Sequence, residues 1–171
     1  MRTILGMLSL LVLGLWLGAL VFFIMVAQVA FSILPPTFPD PVSGIHAAGM
    51  VVGGALSRLH YMGIVLGILF LLFSFALRPH VRWHSVVPQM VLVAVMLVLT
   101  CYSQFSIIPR MDTASEAVGG RIAAVPENNP AREIFEHLHR LSTHLEGIIL
   151  VCGFAAFFLT ARPAVPRTLV V

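Results

Sequence analysis

The chain contains no lysine and few charges of any kind: ten arginines and seven acids among 171 residues, 10% in all. Soluble domains are about 25% charged, so a water-facing surface of ordinary extent cannot be built from this composition. The arginines stand singly along apolar sequence, which excludes the clustered basic face of a nucleic-acid-binding protein. Cysteine is equally scarce. Cys101 and Cys152 each lie within an apolar run, so neither a disulfide scaffold nor a cysteine-rich metal module is available. No nucleophile with its base, phosphate-binding loop or close carboxylate pair is visible, and the reading leans away from an enzyme.

What the chain has instead is apolar length. Hydrophobic residues make up 59% of it and the mean hydropathy is +1.01. A crossing needs about 20 apolar residues, and an ionised side chain at mid-bilayer is costly, so the charges mark the limits of the spans. Between Arg2 and Asp40 lie 37 uncharged residues, one long helix that Pro35 and Pro36 should stop. Arg58 and Arg78 enclose 19, and Arg82 and Arg110 enclose 27, with Pro88 near the start and Pro109 at the end. The fourth run, Leu141 to Ala161, is edged by Arg140 and Arg162 and contains His144 and Glu146. The expected organisation is one all-α, four-span domain over residues 1–171, with spans near 4–34, 45–77, 86–108 and 131–161 and a polar loop at 110–130. The second and fourth helices extend outside the bilayer, so the bundle projects beyond the outer membrane face.

Arginines in short loops mark the cytoplasmic side. Arg2, Arg78, Arg82, Arg162 and Arg167 flank or occupy the termini and the 78–84 turn, whereas the turn after the first helix has none. Both termini are therefore expected in the cytoplasm. The run after Met1-Arg2 is too long for a signal-peptide core and reads as an uncleaved helix. Gly14/Gly18, Gly49/Gly53 and Gly63/Gly67, each four apart, read as packing grooves within the bundle rather than a dimer face. Trp16 reads as packing and Trp83 as an interfacial anchor.

Depth counted from the cytoplasmic arginines at 1.5 Å per residue brings the polar residues into one layer. Glu146 falls at about 24 Å, His60 and Thr100 at about 27 Å, Arg58 at about 30 Å, Gln104 at about 33 Å and His139 at about 35 Å. On the fourth helix Phe135, His139, Ser142, Thr143, Glu146, Leu150 and Gly153 share a stripe about 100° wide, which points to an internal polar site. The candidate set is Arg58, His60, Thr100, Gln104, His139, Ser142 and Glu146. A carboxylate in that layer needs a partner, and Arg58 or a histidine is available. No cofactor is expected. Haem b or copper is the alternative, with His60, His139 and His144 as candidate ligands.

Several of these residues carry a resemblance. Leu15-Trp16-Leu17-Gly18, then Phe31, Leu34 and Pro35, the Leu59 to Tyr61 step, Pro109-Arg110, and Phe135, His139 and Ser142 together resemble the transmembrane protein 205-like family, a membrane domain of unknown function. The resemblance implies a four-span fold whose activity is not established, with a eukaryotic member linked to resistance to platinum drugs. Glu146 departs from the pattern, which has a small polar residue there. The Trp16-Leu17-Gly18 step is also similar to the first helix of copper-resistance membrane domains and of a haem-dependent protoporphyrinogen oxidase. The resulting expectation is a small multi-pass protein of a bacterial inner membrane, acting as a subunit, assembly factor or solute- or metal-handling protein at the outer polar layer. A membrane redox protein is the alternative. The bilayer is the expected partner, with other membrane proteins or a second copy left open and nucleic acid excluded.

Overall fold

A computed structural model describes residues 2–162, so Arg167, one of the orientation-setting arginines, lies outside the described residues. Four helices are long and apolar enough to cross a membrane: α1 (Arg2–Thr37), α2 (Pro41–Ala76), α3 (Val87–Glu116) and α4 (Pro130–Ala161). At 1.5 Å per residue they run about 45–54 Å, well beyond a hydrocarbon core of about 30 Å. α1 packs on α2 and α4, and α3 packs on the same two, so the four close into an up-and-down bundle.

The ends follow from local chemistry. α1 runs through Pro35 and Pro36 and stops at Thr37, a little beyond the expected end at Leu34, because the two missing N–H groups fall in its last turn and only that turn is lost. The hairpin into α2 is tight. A Cβ on Gly44 would stand 2.5 Å from the Cα of Pro35, so only glycine lets the chains approach this closely. Asp40 caps α2 by accepting from the N–H groups of Val42 and Ser43 at 3.1 and 3.2 Å and from the Ser43 hydroxyl at 2.8 Å. α3 does not end at Pro109. It continues to Glu116, and Gly119 and Gly120, both at positive φ, close it by returning N–H groups to the carbonyls of Glu116 and Ser115. The polar loop is shorter than expected, because the apolar run marks where the bilayer ends and not where the helix does. Asn129 caps α4 through the Ala131 N–H at 2.9 Å, with Pro130 in the first turn.

The Asp40 cap also anchors this loop, since Arg121 donates to Asp40 at 2.6 Å. The Asp40 carboxyl is held below its ordinary range, first by the Ser43 hydroxyl and then by the Val42 N–H, with smaller help from Arg121. A lowered folded pKa stabilises the fold above the unfolded value, near 3.9, and that stabilisation is lost as pH falls through the lower folded value. Acidification below about pH 4 should lower the protection of the Val42 and Ser43 amides, measured against the intrinsic exchange rate at each pH, and Asp40→Asn should remove that change in protection. Protection that stays flat across this range in the unmodified chain would refute the cap's role.

Trp16 is the centre of the core. It is 1% exposed, beside Leu13, Leu17, Leu20, Phe70, Val93, Met96 and Ile149, and it lies in the groove of Gly63 and Gly67, where an added Cβ would come within 2.5 and 2.9 Å of its ring. That glycine pair is a packing groove, as its spacing suggests. Gly49, Gly53 and Gly18 are not, because nothing lies within 4 Å of a Cβ built on them. Trp83 is 39% exposed, and the Arg78 guanidinium stands 5.3 Å from its ring centre, a cation–π contact fitting an anchor at the edge of a span.

Candidate functional site

α2 carries His60 into the bundle. Its side chain is 2% exposed, and its two ring nitrogens reach two different helices. Nδ1 lies 3.0 Å from Gln104 Oε1 on α3, and Nε2 lies 2.7 Å from Glu146 Oε1 on α4. With the Gln104 amide oxygen facing it, Nδ1 is placed to donate, and Nε2 stands at hydrogen-bond distance from the Glu146 carboxylate. The Glu146 side chain is 16% exposed, so the pair sits at the margin of the core rather than in its dry centre.

α3 is shaped for this contact. Pro109 has no N–H for the carbonyl of Phe105, and the helix widens into a π turn at Ser103–Ile107 just before it, with the Ile108 N–H reaching back to Ser103. The wide turn leaves Ser103, Gln104 and Ile107 all buried. Thr100, one turn earlier on the same face, is 1% exposed. Three oxygens here are buried without a hydrogen-bond partner among the described residues: Thr100 Oγ1, Ser103 Oγ and Glu146 Oε2. Other helical hydroxyls behave differently. Ser9, Thr113, Thr143 and Thr160 each donate to the carbonyl four residues back in their own helix, the usual resort of a hydroxyl in an apolar helix. A buried unpaired polar atom costs about 1–3 kcal/mol, so hydroxyls left free on the segment of α3 that carries Gln104 are suited to meeting a polar guest.

The expected site is thus partly assembled. His60, Gln104 and Glu146 are joined by hydrogen bonds, and Thr100 and Ser142 are buried on the faces that pack here. Arg58 is exposed and donates to the Gly54 carbonyl of its own helix at 2.9 Å, so it does not partner Glu146. His139 is exposed and stacks on Phe135, and His144 is exposed as well. The reason lies in the setting of α4. Its buried residues are Leu138, Ser142, Leu145, Ile149, Gly153 and Ala156, a stripe about 70° round the axis from the expected one. That rotation turns His139 and Thr143 outward and leaves Glu146 on the edge of the seam. Ser103 was missed, although its three-residue spacing from Thr100 was a usable signal. Among the described residues no three His, Cys, Asp or Glu side chains stand together to hold a metal ion.

A sequence profile of the family described as Domain of unknown function (DUF4149) matches residues 11–118, more than half of the chain. The chain therefore belongs to that uncharacterised family. The match takes in His60, Thr100 and Gln104 and stops before α4, so Glu146 lies outside it. No curated protein and no solved structure matches the chain.

Proposed function

We propose that this DUF4149 member is a non-enzymatic, multi-pass membrane protein of the transmembrane protein 205-like type that binds a small cation or cationic solute in exchange for a proton. The observation that carries the reading is His60 held between Gln104 and Glu146, with Nε2 2.7 Å from the carboxylate; the proton to be exchanged is one shared between these two atoms. Removing that proton would leave two lone pairs facing each other and one negative charge in a poorly hydrated place. A cation, or a solute offering N–H groups, restores the balance. Glu146 Oε2, Thr100 Oγ1 and Ser103 Oγ are the unused acceptors on the same faces. Because both His60 nitrogens are engaged, it is not a free general base for either hydroxyl, which supports a binding role over catalysis.

In weakly buffered detergent solution, adding sodium, potassium or zinc chloride in turn should release protons with at least one of them, and Glu146→Gln should abolish the release. Release from none of the three, or release that survives Glu146→Gln, would overturn the reading. No cofactor enters it. Haem b or copper would have to displace the partners of His60, while the other candidate ligands, His139 and His144, stand on exposed faces. An absorption spectrum with metal analysis should show neither a Soret band nor stoichiometric copper, and either one would establish the redox alternative instead.

The orientation belongs to the same proposal: termini in the cytoplasm, polar layer toward the outside, in a bacterial inner membrane, supported by the arginine bias of the short loops. In a chain whose two native cysteines are replaced by alanine, Glu127→Cys should react with an impermeant thiol reagent on intact cells and His84→Cys should not. The opposite labelling would invert the topology.

A further inference from the structure

Away from the His60 site, the helical extensions of α3 and α4 enclose a groove of about 320 Å³ lined by Arg110, Glu133, Ile134, His137, Leu138 and Arg140. Both arginines are exposed. Arg110 directly follows the apolar run of α3, and Arg140 directly precedes that of α4, which begins at Leu141. The two guanidiniums therefore stand at the same edge of the hydrocarbon, where acyl chains give way to headgroups.

Their pairing sets them apart from Arg121 and Arg132, while Arg58, also of the outer layer and outside any ion pair among the described residues, is spent on the Gly54 carbonyl of its own helix. Arg121 is matched with Asp40, and Arg132 with Glu136 and Glu127, whereas neither Arg110 nor Arg140 is in an ion pair among the described residues. The one carboxylate of the groove, Glu133, offsets one of the two charges. The remaining excess stands over an apolar floor, because Leu138 is 4% exposed and packs with Ile107 and Leu145, and Ile134 forms part of the wall. Cationic rim, apolar floor and headgroup depth match the three parts of a phospholipid: phosphate, upper acyl chain and interfacial position. A guanidinium presents two parallel N–H groups to two phosphate oxygens, so a pair of arginines suits a phosphodiester better than a diffuse positive field does.

We infer that this groove is a binding site for the headgroup of an anionic phospholipid, with Arg110 and Arg140 holding the phosphate and His137 on its flank. The inference is independent of the proton-exchange reading, since no residue is shared between the two sites. The test is native mass spectrometry of the full chain in detergent with phosphatidylglycerol or phosphatidylcholine added at equal concentration. Phosphatidylglycerol should be retained preferentially, and Arg110→Gln and Arg140→Gln should each reduce that preference about fivefold, the effect of one basic side chain near an anionic surface. Arg121→Gln, which is outside the groove, should leave it unchanged. Arg140→Lys keeps the charge without the planar fork and should fall between the arginine and glutamine forms, which separates a built site from general attraction and guards against a misfolded glutamine variant. Equal retention of the two lipids, or a preference untouched by both glutamine variants, would overturn the inference. Competition by inorganic phosphate that removes the preference would identify a site for a soluble anion and overturn the lipid assignment.

Discussion

Trp16→Ala should destabilise the protein in detergent by about 3–5 kcal/mol, the range for emptying a fully packed aromatic site. Trp16 is 1% exposed and joins α1 to α2 through the groove of Gly63 and Gly67. The same contact can be attacked from the other side. A Cβ on Gly63 would lie 2.5 Å from the indole Nε1 and 2.7 Å from Cε2, so Gly63→Ala should cost about 1–3 kcal/mol through overpacking. In the double variant the smaller side chain at 16 makes room for the added methyl, and the combined loss should be less than the sum. Gly18→Ala, where nothing lies within 4 Å, should be nearly silent in the same thermal-unfolding assay. If Gly63→Ala were equally silent, this seam would not be a close-packed contact.

The second large effect is expected from His60→Leu. It removes one partner from Gln104 and one from Glu146 together, and breaking one side of a buried ionic pair costs about 3–5 kcal/mol. Glu146→Gln should cost less, because an amide N–H can still meet Nε2 and hydrogen bonds between side chains within membranes average about 0.6 kcal/mol and reach about 1.7. The two variants therefore separate stability from exchange: Glu146→Gln should abolish proton release while sparing most of the fold. His60→Leu combined with Glu146→Leu should be less harmful than the two losses added, since neither group is then left without its partner. Strict additivity, or a loss below about 1 kcal/mol for His60→Leu alone, would show that the hydrogen-bonded chain across the bundle contributes little.

The relation between residue order and structure differs from helix to helix. α1 and α2 were legible as spans because charge and proline act locally: an arginine or aspartate ends an apolar run whatever surrounds it. The start of α2 was not, since the helix begins at Pro41 under the Asp40 cap, four residues before the expected 45. The polar layer was legible for a related reason. Depth along a spanning helix is a count of residues at a fixed rise, so His60, Gln104 and Glu146 could be placed at similar heights before any contact was known. Rotation about the axis is not such a count. In α4 apolar residues occur on every side, so hydrophobic periodicity does not single out the seam, and a stripe drawn through the polar residues missed the buried face by about 70°.

The chain by itself thus determined its class, its four apolar runs and the height at which its few polar groups must lie, because each depends on the cost of placing charge or unpaired backbone in hydrocarbon. Only the packed bundle decided that His60, and not Arg58, meets Glu146. Arg58 and His60 are two residues apart on one helix and point in directions about 160° apart, so the face that α2 turns toward α3 and α4 chooses between them. That face is set by Trp16 seated against Gly63 and Gly67, which follow His60 on the same face of α2 within about two turns. The π turn before Pro109 was likewise a tertiary choice, since a proline can be met by a kink, a helix end or a widened turn, and the widened turn is the one that buries Gln104 and Ser103 together.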